Sequence, residues 1–198
     1  MAKVQRNLPG IRLEEWSTFA MGDIQENIQH LISLDSNDIS TILTLPENVN
    51  EIQWKFYQVR QMCLQLNDLF CDLAFECNAQ TCPEMKAGKW KYLCAAHSET
   101  QACCAIDYME HALEGTSIIL SSDVFYPQTG ILSEAADKTL KNAVRRLYRI
   151  FSHCWYHHKQ IFLEFESKTS LYGRFLEFTT KTYRMIDEEL VTIPMPYM

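Results

Sequence analysis

Residues 133–158 read SEAADKTLKNAVRRLYRIFSHCWYHH. Wound as one helix of about 3.6 residues per turn, this stretch puts Leu140, Ala143, Val144, Leu147, Ile150, Phe151 and Cys154 on one side. Lys138, Lys141, Arg145 and Arg149 fall on the other. One face is core and the other is cation. The last turns carry His153-Cys154-Trp155-Tyr156-His157-His158, which holds three of the six histidines in the chain. That end is expected to hold a metal, and the basic stripe an anion.

Working outward, 198 residues with 47% hydrophobic and 22% charged side chains suit a single globular domain with a continuous core. Only six glycines and six prolines, set among long segments of helical period, point to an all-α fold. The formal net charge of -7 argues against non-specific binding to nucleic acid or anionic lipid, because that attraction scales with the phosphates neutralised. Gly115 to Ser122, the most apolar stretch without a charge, is far too short to span a bilayer. No apolar segment follows the cations near Met1, so no secretory signal is expected. In a reducing, cytoplasmic compartment the eight cysteines read as thiols or metal ligands.

Along the chain, residues 1–22 show no steady period and read as an extended arm, with Trp16 and Phe19 as anchors. The domain is expected over 23–190. Ile24, Ile28, Leu31 and Ile32 have helical spacing, and a short helix over 37–43 ends before Pro46. Asn50 reads as an N-cap with Gln53 three residues on. Behind it, Trp54, Tyr57, Cys63, Leu66, Phe70, Leu73 and Cys77 lie within one broad stripe, which predicts a second long core helix ending near Glu76. An irregular segment to about Gln101 holds Cys77, Cys82, Cys94 and His97, and a loop of that length usually has a function or a clamp. Ile106, Met109, Leu113, Thr116 and Leu120 predict the next helix, and Tyr126 to Gly130 a turn. Helices are also expected over 161–166 and 171–183, and the tail at 191–198 cannot be helical through Pro194 and Pro196.

Cys77 and Cys82 form a C-x4-C pair, and His153 and His158 an H-x4-H pair. Together they suit a tetrahedral zinc ion, and four protein ligands leave no position for a substrate water, so such a site is structural. On an ideal helix residues five apart differ by roughly 140° around the axis, whereas four apart differ by about 40°. Pure geometry therefore prefers His157 as the partner of His153. Cys94 and His97 are a further C-x2-H candidate, His111 stands alone on a helix, and the adjacent Cys103 and Cys104 are poor partners for one ion. In the basic stripe, Arg145, Arg146 and Arg149 place three guanidiniums within five residues, a grouping suited to a phosphorylated peptide. Nucleic acid would want interleaved aromatics, and Tyr148, the one aromatic in the stripe, points to its core-side edge.

Leu45-Pro46-Glu47 ahead of Trp54, Cys77-x4-Cys82-Pro83, Ala105-Ile106-Asp107-Tyr108 and Arg145 to His153 with His158 resemble the Mob family of kinase adaptors. Trp90-x2-Leu93-Cys94-Ala95-Ala96-His97 and Phe151-Ser152-His153 with His157-His158-Lys159-Gln160-Ile161-Phe162 resemble its phocein branch. The resemblance runs through about residues 45–185. It implies a single helical domain built on a four-helix bundle with structural zinc on Cys77, Cys82, His153 and His158, which sets His157 aside. It also implies a phosphopeptide pocket lined by Arg145, Arg146 and Arg149. Mob proteins that activate nuclear Dbf2-related kinases carry acidic residues just ahead of the bundle Trp, where this chain has Val49 and Gln53. The phocein branch implies instead an assembly with a striatin-like scaffold, protein phosphatase 2A and germinal-centre-type kinases, with any endomembrane attachment made through those partners.

The expected function is thus a non-catalytic, zinc-binding adaptor in phosphorylation signalling. The alternatives are a coactivator of nuclear Dbf2-related kinases and a zinc-dependent hydrolase. Hydrolysis would need an open coordination position and a general base, and the sequence has no H-E-x-x-H or comparable pattern.

Overall fold

A computed structural model describes residues 22–47, 49–121 and 133–193. The expected arm, the turn at Tyr126 to Gly130 and the prolines of the tail lie outside the described residues. Helices come in the order α1 (Gly22–Leu34), α2 (Ile39–Leu43), α3 (Glu51–Leu73), α4 (Ala105–Ser121), α5 (Glu134–His157), α6 (Lys159–Thr169) and α7 (Leu171–Leu176). A two-stranded antiparallel ladder, β1 (Lys86–Ala87) with β2 (Trp90–Lys91), interrupts the segment between α3 and α4. Among the described residues the fold is all-α apart from this ladder.

Caps set the ends of the two longest helices. Asn50 accepts from the backbone of Ile52 and Gln53 at 2.9 and 3.3 Å, and Ser133 accepts from Ala136 at 3.2 Å. Each satisfies amides that an α-helix leaves without an internal partner. Helix α3 stops at Leu73, a turn earlier than its apolar stripe implied, and Cys77 closes onto it through its amide on the Leu73 carbonyl. The stripe nonetheless predicts burial correctly, since Trp54, Tyr57, Cys63, Leu66, Phe70, Leu73 and Cys77 are all buried.

Helix α3 packs on α4, α4 on α5, α5 on α6 and α6 back on α3, with α3 and α5 also touching across the middle. These four form a closed bundle. Helices α1 and α2 cover α3 and α7. Trp54, buried in the first turn of α3, donates to the Leu43 carbonyl at 3.2 Å, and Gln58 donates to the Ile42 carbonyl at 2.7 Å, so α2 is pinned by buried polar bonds.

The C-terminal part departs from the expected two helices. Helix α6 is longer than 161–166, and its end at Ser170 (φ 47°) turns straight into α7. Glu166 reaches across that turn to accept from the amides of Tyr172 (2.7 Å) and Gly173 (2.9 Å), capping α7. After Leu176 the chain widens into a π-helical turn, Glu177–Thr182, so the expected 171–183 helix is two elements. Residues 191–193, placed by sequence in the tail, pack against the domain. Tyr148 accepts from the Thr192 amide at 2.7 Å, Tyr172 donates to the Ile193 carbonyl at 3.0 Å, and Ile193 is buried.

Replacing the Asn50 cap tests this account of α3. Asn50→Ala should lower stability by about 1 kcal/mol, and Asn50→Gly by only a few tenths. Denaturant titration of both variants checks the ranking; equal losses would mean that the side-chain bonds do not support the helix.

Candidate functional site

The polypeptide leaves α3 through a tight turn in which the Asn78 carboxamide oxygen accepts from the amides of Gln80 and Thr81. This turn brings Cys82 back beside Cys77. From the other side, α5 ends at His157, and His158 leaves helical geometry with φ -137° and ψ 49°. The ideal-helix angle therefore does not govern His158. The break swings its ring to the side of His153, and His157 faces solvent. The geometric preference for His157 is overturned by this helix break.

Cys77 Sγ stands 3.6 Å from His153 Nε2, and Cys82 Sγ 3.3 Å from His158 Nε2. All four donor atoms lie within 4.8 Å of one another. A tetrahedral ion with bonds of about 2.3 Å to sulfur and 2.0–2.1 Å to nitrogen would set sulfur and nitrogen about 3.5 Å apart. The two sulfur–nitrogen separations match that edge, so the residues could hold such an ion.

The imidazoles are oriented from behind. His153 Nδ1 donates to the Lys86 carbonyl at 2.7 Å, which leaves the Nε2 lone pair aimed at Cys77. His158 Nδ1 lies 3.6 Å from the Glu76 carboxylate. An acceptor hydrogen-bonded to the far nitrogen, as on His153, is the arrangement that fixes a ligand tautomer. Burial lowers the His153 pKa to about 4, against the raising effect of the Lys86 bond, so its imidazole is neutral and able to ligate. Burial, reinforced by Cys82, pushes the Cys77 thiol well above the ordinary thiol range. A thiolate at this position therefore needs a cation beside it. Cys154 is buried next to the site, its Sγ on the His158 carbonyl at 3.7 Å, and is not among the four donors.

The basic stripe is less open than a solvated face. Arg149 donates to the Tyr108 hydroxyl at 2.6 Å and its guanidinium stacks over Tyr92 at 4.7 Å. Arg145 Nη2 is 3.6 Å from Asp187, while its buried Nε has no hydrogen-bond partner. Arg145, Arg146 and Arg149 are all half-buried, and Lys141 pairs with Asp137 at 2.8 Å. Burial raises the Tyr108 phenol pKa, opposed first by Arg149 and then by Arg146. Tyr148 turns to the core as expected. Sequence reasoning missed Tyr92 and Asp187, which reach α5 from distant segments.

Cys94, His97, Cys103 and His111, which the sequence offered only as scattered candidates, gather into a second group of donors within 4.8 Å of one another. Cys104 is not part of it. Among the described residues no helix is long and apolar enough to cross a membrane.

Residues 31–195 match the model of the Mob1/phocein family. The chain is 40% identical over 205 aligned positions to MOB kinase activator-like 4 of Drosophila melanogaster, covering 97% of this chain and 90% of that protein. It is 37% identical over 202 positions to the MOB-like protein phocein of Caenorhabditis elegans, with the same coverage of 97% and 90%. Similarity extends at 23% identity over 165 positions to the maintenance of ploidy protein mob1 of Schizosaccharomyces pombe, covering 79% of each chain. The chain belongs to the Mob1/phocein family.

Removing one donor at a time separates ligands from neighbours. Cys77→Ser, His153→Ala and His158→Ala should each abolish metal retention at this site, whereas His157→Ala should retain it. An ion held at a thousandfold excess over its Kd stabilises by about 4 kcal/mol. Its loss should therefore lower Tm by about 10 °C in a chain of this size. Elemental analysis of dialysed protein and a thermal melt check both statements; metal loss in His157→Ala with retention in His158→Ala would reverse the assignment.

Proposed function

We propose that this Mob1/phocein family member is a non-catalytic adaptor of phosphorylation signalling, held in shape by structural zinc and docking partners through the arginine face of α5. The observation that carries the reading is the convergence of Cys77 and Cys82 with His153 and His158, which anchors the end of α5. Zinc suits two thiolates and two imidazoles at these separations, and it adds folding free energy without redox chemistry. Four protein donors leave no position for an activated water, which is the reason for reading the site as structural.

Arg145, Arg146 and Arg149 would receive a phosphorylated peptide. Arg145 Nε supports this, because a donor withdrawn from solvent without an acceptor is costly until an anion supplies one. Asp187 is 74% exposed and held only at 3.6 Å, so an incoming phosphate can displace it. Tyr92 and Tyr108 hold Arg149 in place, which reduces the entropy lost when it binds.

Relatives named as a MOB kinase activator-like protein and a MOB-like phocein support the adaptor reading over an enzyme. Among partner sets, we favour the phocein-type assembly of a striatin-like scaffold, protein phosphatase 2A and germinal-centre-type kinases, at a cytoplasmic location. Val49 and Gln53 ahead of Trp54 supply no carboxylate, which disfavours the nuclear Dbf2-related kinases.

Paired binding assays with phosphorylated and unphosphorylated peptides from such partners test the pocket. Each charge-assisted hydrogen bond contributes about 1.5–3 kcal/mol. Arg145→Ala with Arg149→Ala should therefore weaken the phosphorylated peptide by about a hundredfold or more and leave the unphosphorylated one unchanged. Equal affinities of the double variant and the parent for the phosphorylated peptide would end the anion role.

A further inference from the structure

The segment between Ala87 and Ala105 has almost no core of its own. Cys94 is its one buried residue, and Ala95, Ala96, Ser98, Glu99, Thr100, Gln101 and Ala102 are all exposed. Apolar burial cannot account for a fixed path here. What the loop has instead is a set of donors. Cys94 Sγ lies 3.5 Å from His111 Nδ1, Cys103 Sγ lies 3.0 Å from His97 Nε2 and 3.9 Å from His111 Nδ1, and all six separations among the four donor atoms stay within 4.8 Å. Three donors come from the loop, and His111 comes from α4.

We propose that Cys94, His97, Cys103 and His111 form a second structural zinc site, separate from that of Cys77, Cys82, His153 and His158. The spacing is C-x2-H-x5-C-x7-H, in which a short loop supplies three ligands and a helix the fourth. The sulfur–nitrogen separations bracket the roughly 3.5 Å edge of a tetrahedral zinc ion. Two thiolates with two imidazoles favour zinc over hard cations, which take oxygen donors. Backbone pairing prepares the site: Cys94 and Gln101 exchange amide–carbonyl bonds of 2.7 and 3.1 Å, which closes the loop and returns Cys103 to the side of Cys94. His97 and His111 meet edge to face at 4.9 Å, so their nitrogens approach the thiols from different directions. The half-buried positions of His97, Cys103 and His111 leave a path for the ion to enter.

The same thiols could instead be joined as a disulfide or remain hydrogen-bonded thiols, and the experiment separates these outcomes. Native mass spectrometry of the full chain, purified with zinc and a reductant and then dialysed, should show two zinc ions per chain. Cys94→Ser and His111→Ala should each show one, with the helical circular dichroism of the parent. Cys77→Ser should also show one, and Cys77→Ser with Cys94→Ser none. In the cobalt-substituted protein the thiolate charge-transfer and tetrahedral ligand-field bands should fall by about half in Cys94→Ser. A parent chain with one ion that survives Cys94→Ser and His111→Ala would overturn the proposal, as would a Cys94–Cys103 disulfide in place of the second ion. One ion lost in Cys94→Ser but kept in Cys77→Ser would instead overturn the first site and leave this one standing. If a variant fails to fold, two ions in the parent still support the proposal, none overturns it, and with one ion the cysteines that resist alkylation in the zinc-loaded parent decide: protection of Cys94 and Cys103 supports it and protection of Cys77 and Cys82 alone overturns it.

Discussion

Two thiols and two imidazoles brought together across 76 residues of chain are the constraint on which the arrangement around α5 depends. Closing a loop of that length costs entropy that grows only slowly with length, so one strong local interaction at the crossing can hold the whole connection. The donors are prepared for it. His153 is buried, neutral and oriented by the Lys86 carbonyl, and Cys77 is a buried thiol beside Cys82. These groups gain little from one another as a neutral cluster, and far more from a shared cation.

With its C-terminal end fixed there, α5 presents the guanidiniums one and two turns earlier at a set height in the bundle. Their neighbours differ in kind. Arg149 is held between two tyrosines, whereas Arg145 has one half engaged by an exposed carboxylate and the other without an acceptor. In the proposed anion role, one member would position and the other would gain a partner. Arg174 shows the contrasting case. It is fully buried, donates to Gln65, and lies near enough to Glu166 to feel its charge, while its Nε and Nη1 lack partners. It serves the joint between α6, α7 and α3.

Much of this was legible in the residues because local rules and tertiary packing agree. The stripe from Trp54 to Cys77 and the face from Leu140 to Cys154 both turned inward, and Asn50 and Ser133 capped where their side chains could reach free amides. What escaped depends on backbone that no period describes. His158 could not be placed from an ideal helix because the helix ends one residue before it. The gathering of Cys94, His97, Cys103 and His111 rests on the Cys94–Gln101 bridge, and neither residue carries a signal for that pairing. Tyr92 reaches Arg149 from a loop 57 residues earlier, a contact of the bundle rather than of its neighbours in sequence. The π-helical turn after Leu176 likewise follows an apolar run that reads as ordinary α-helix.

Both donor groups bear on one small piece of backbone. Lys86 in β1 accepts from His153, the Ala105 amide donates to the Cys82 carbonyl at 2.9 Å, and the Met85 amide donates to the Cys103 carbonyl at 3.1 Å. The ladder is thus tied at one end to the donors on α5 and at the other to the loop that carries Cys94 and Cys103. Tyr92, which follows β2 and donates its amide to the Met85 carbonyl at 2.9 Å, is positioned by both ties. Its ring is the surface on which Arg149 rests. The place of the Arg149 guanidinium is therefore set by the loop that carries Tyr92 as well as by α5.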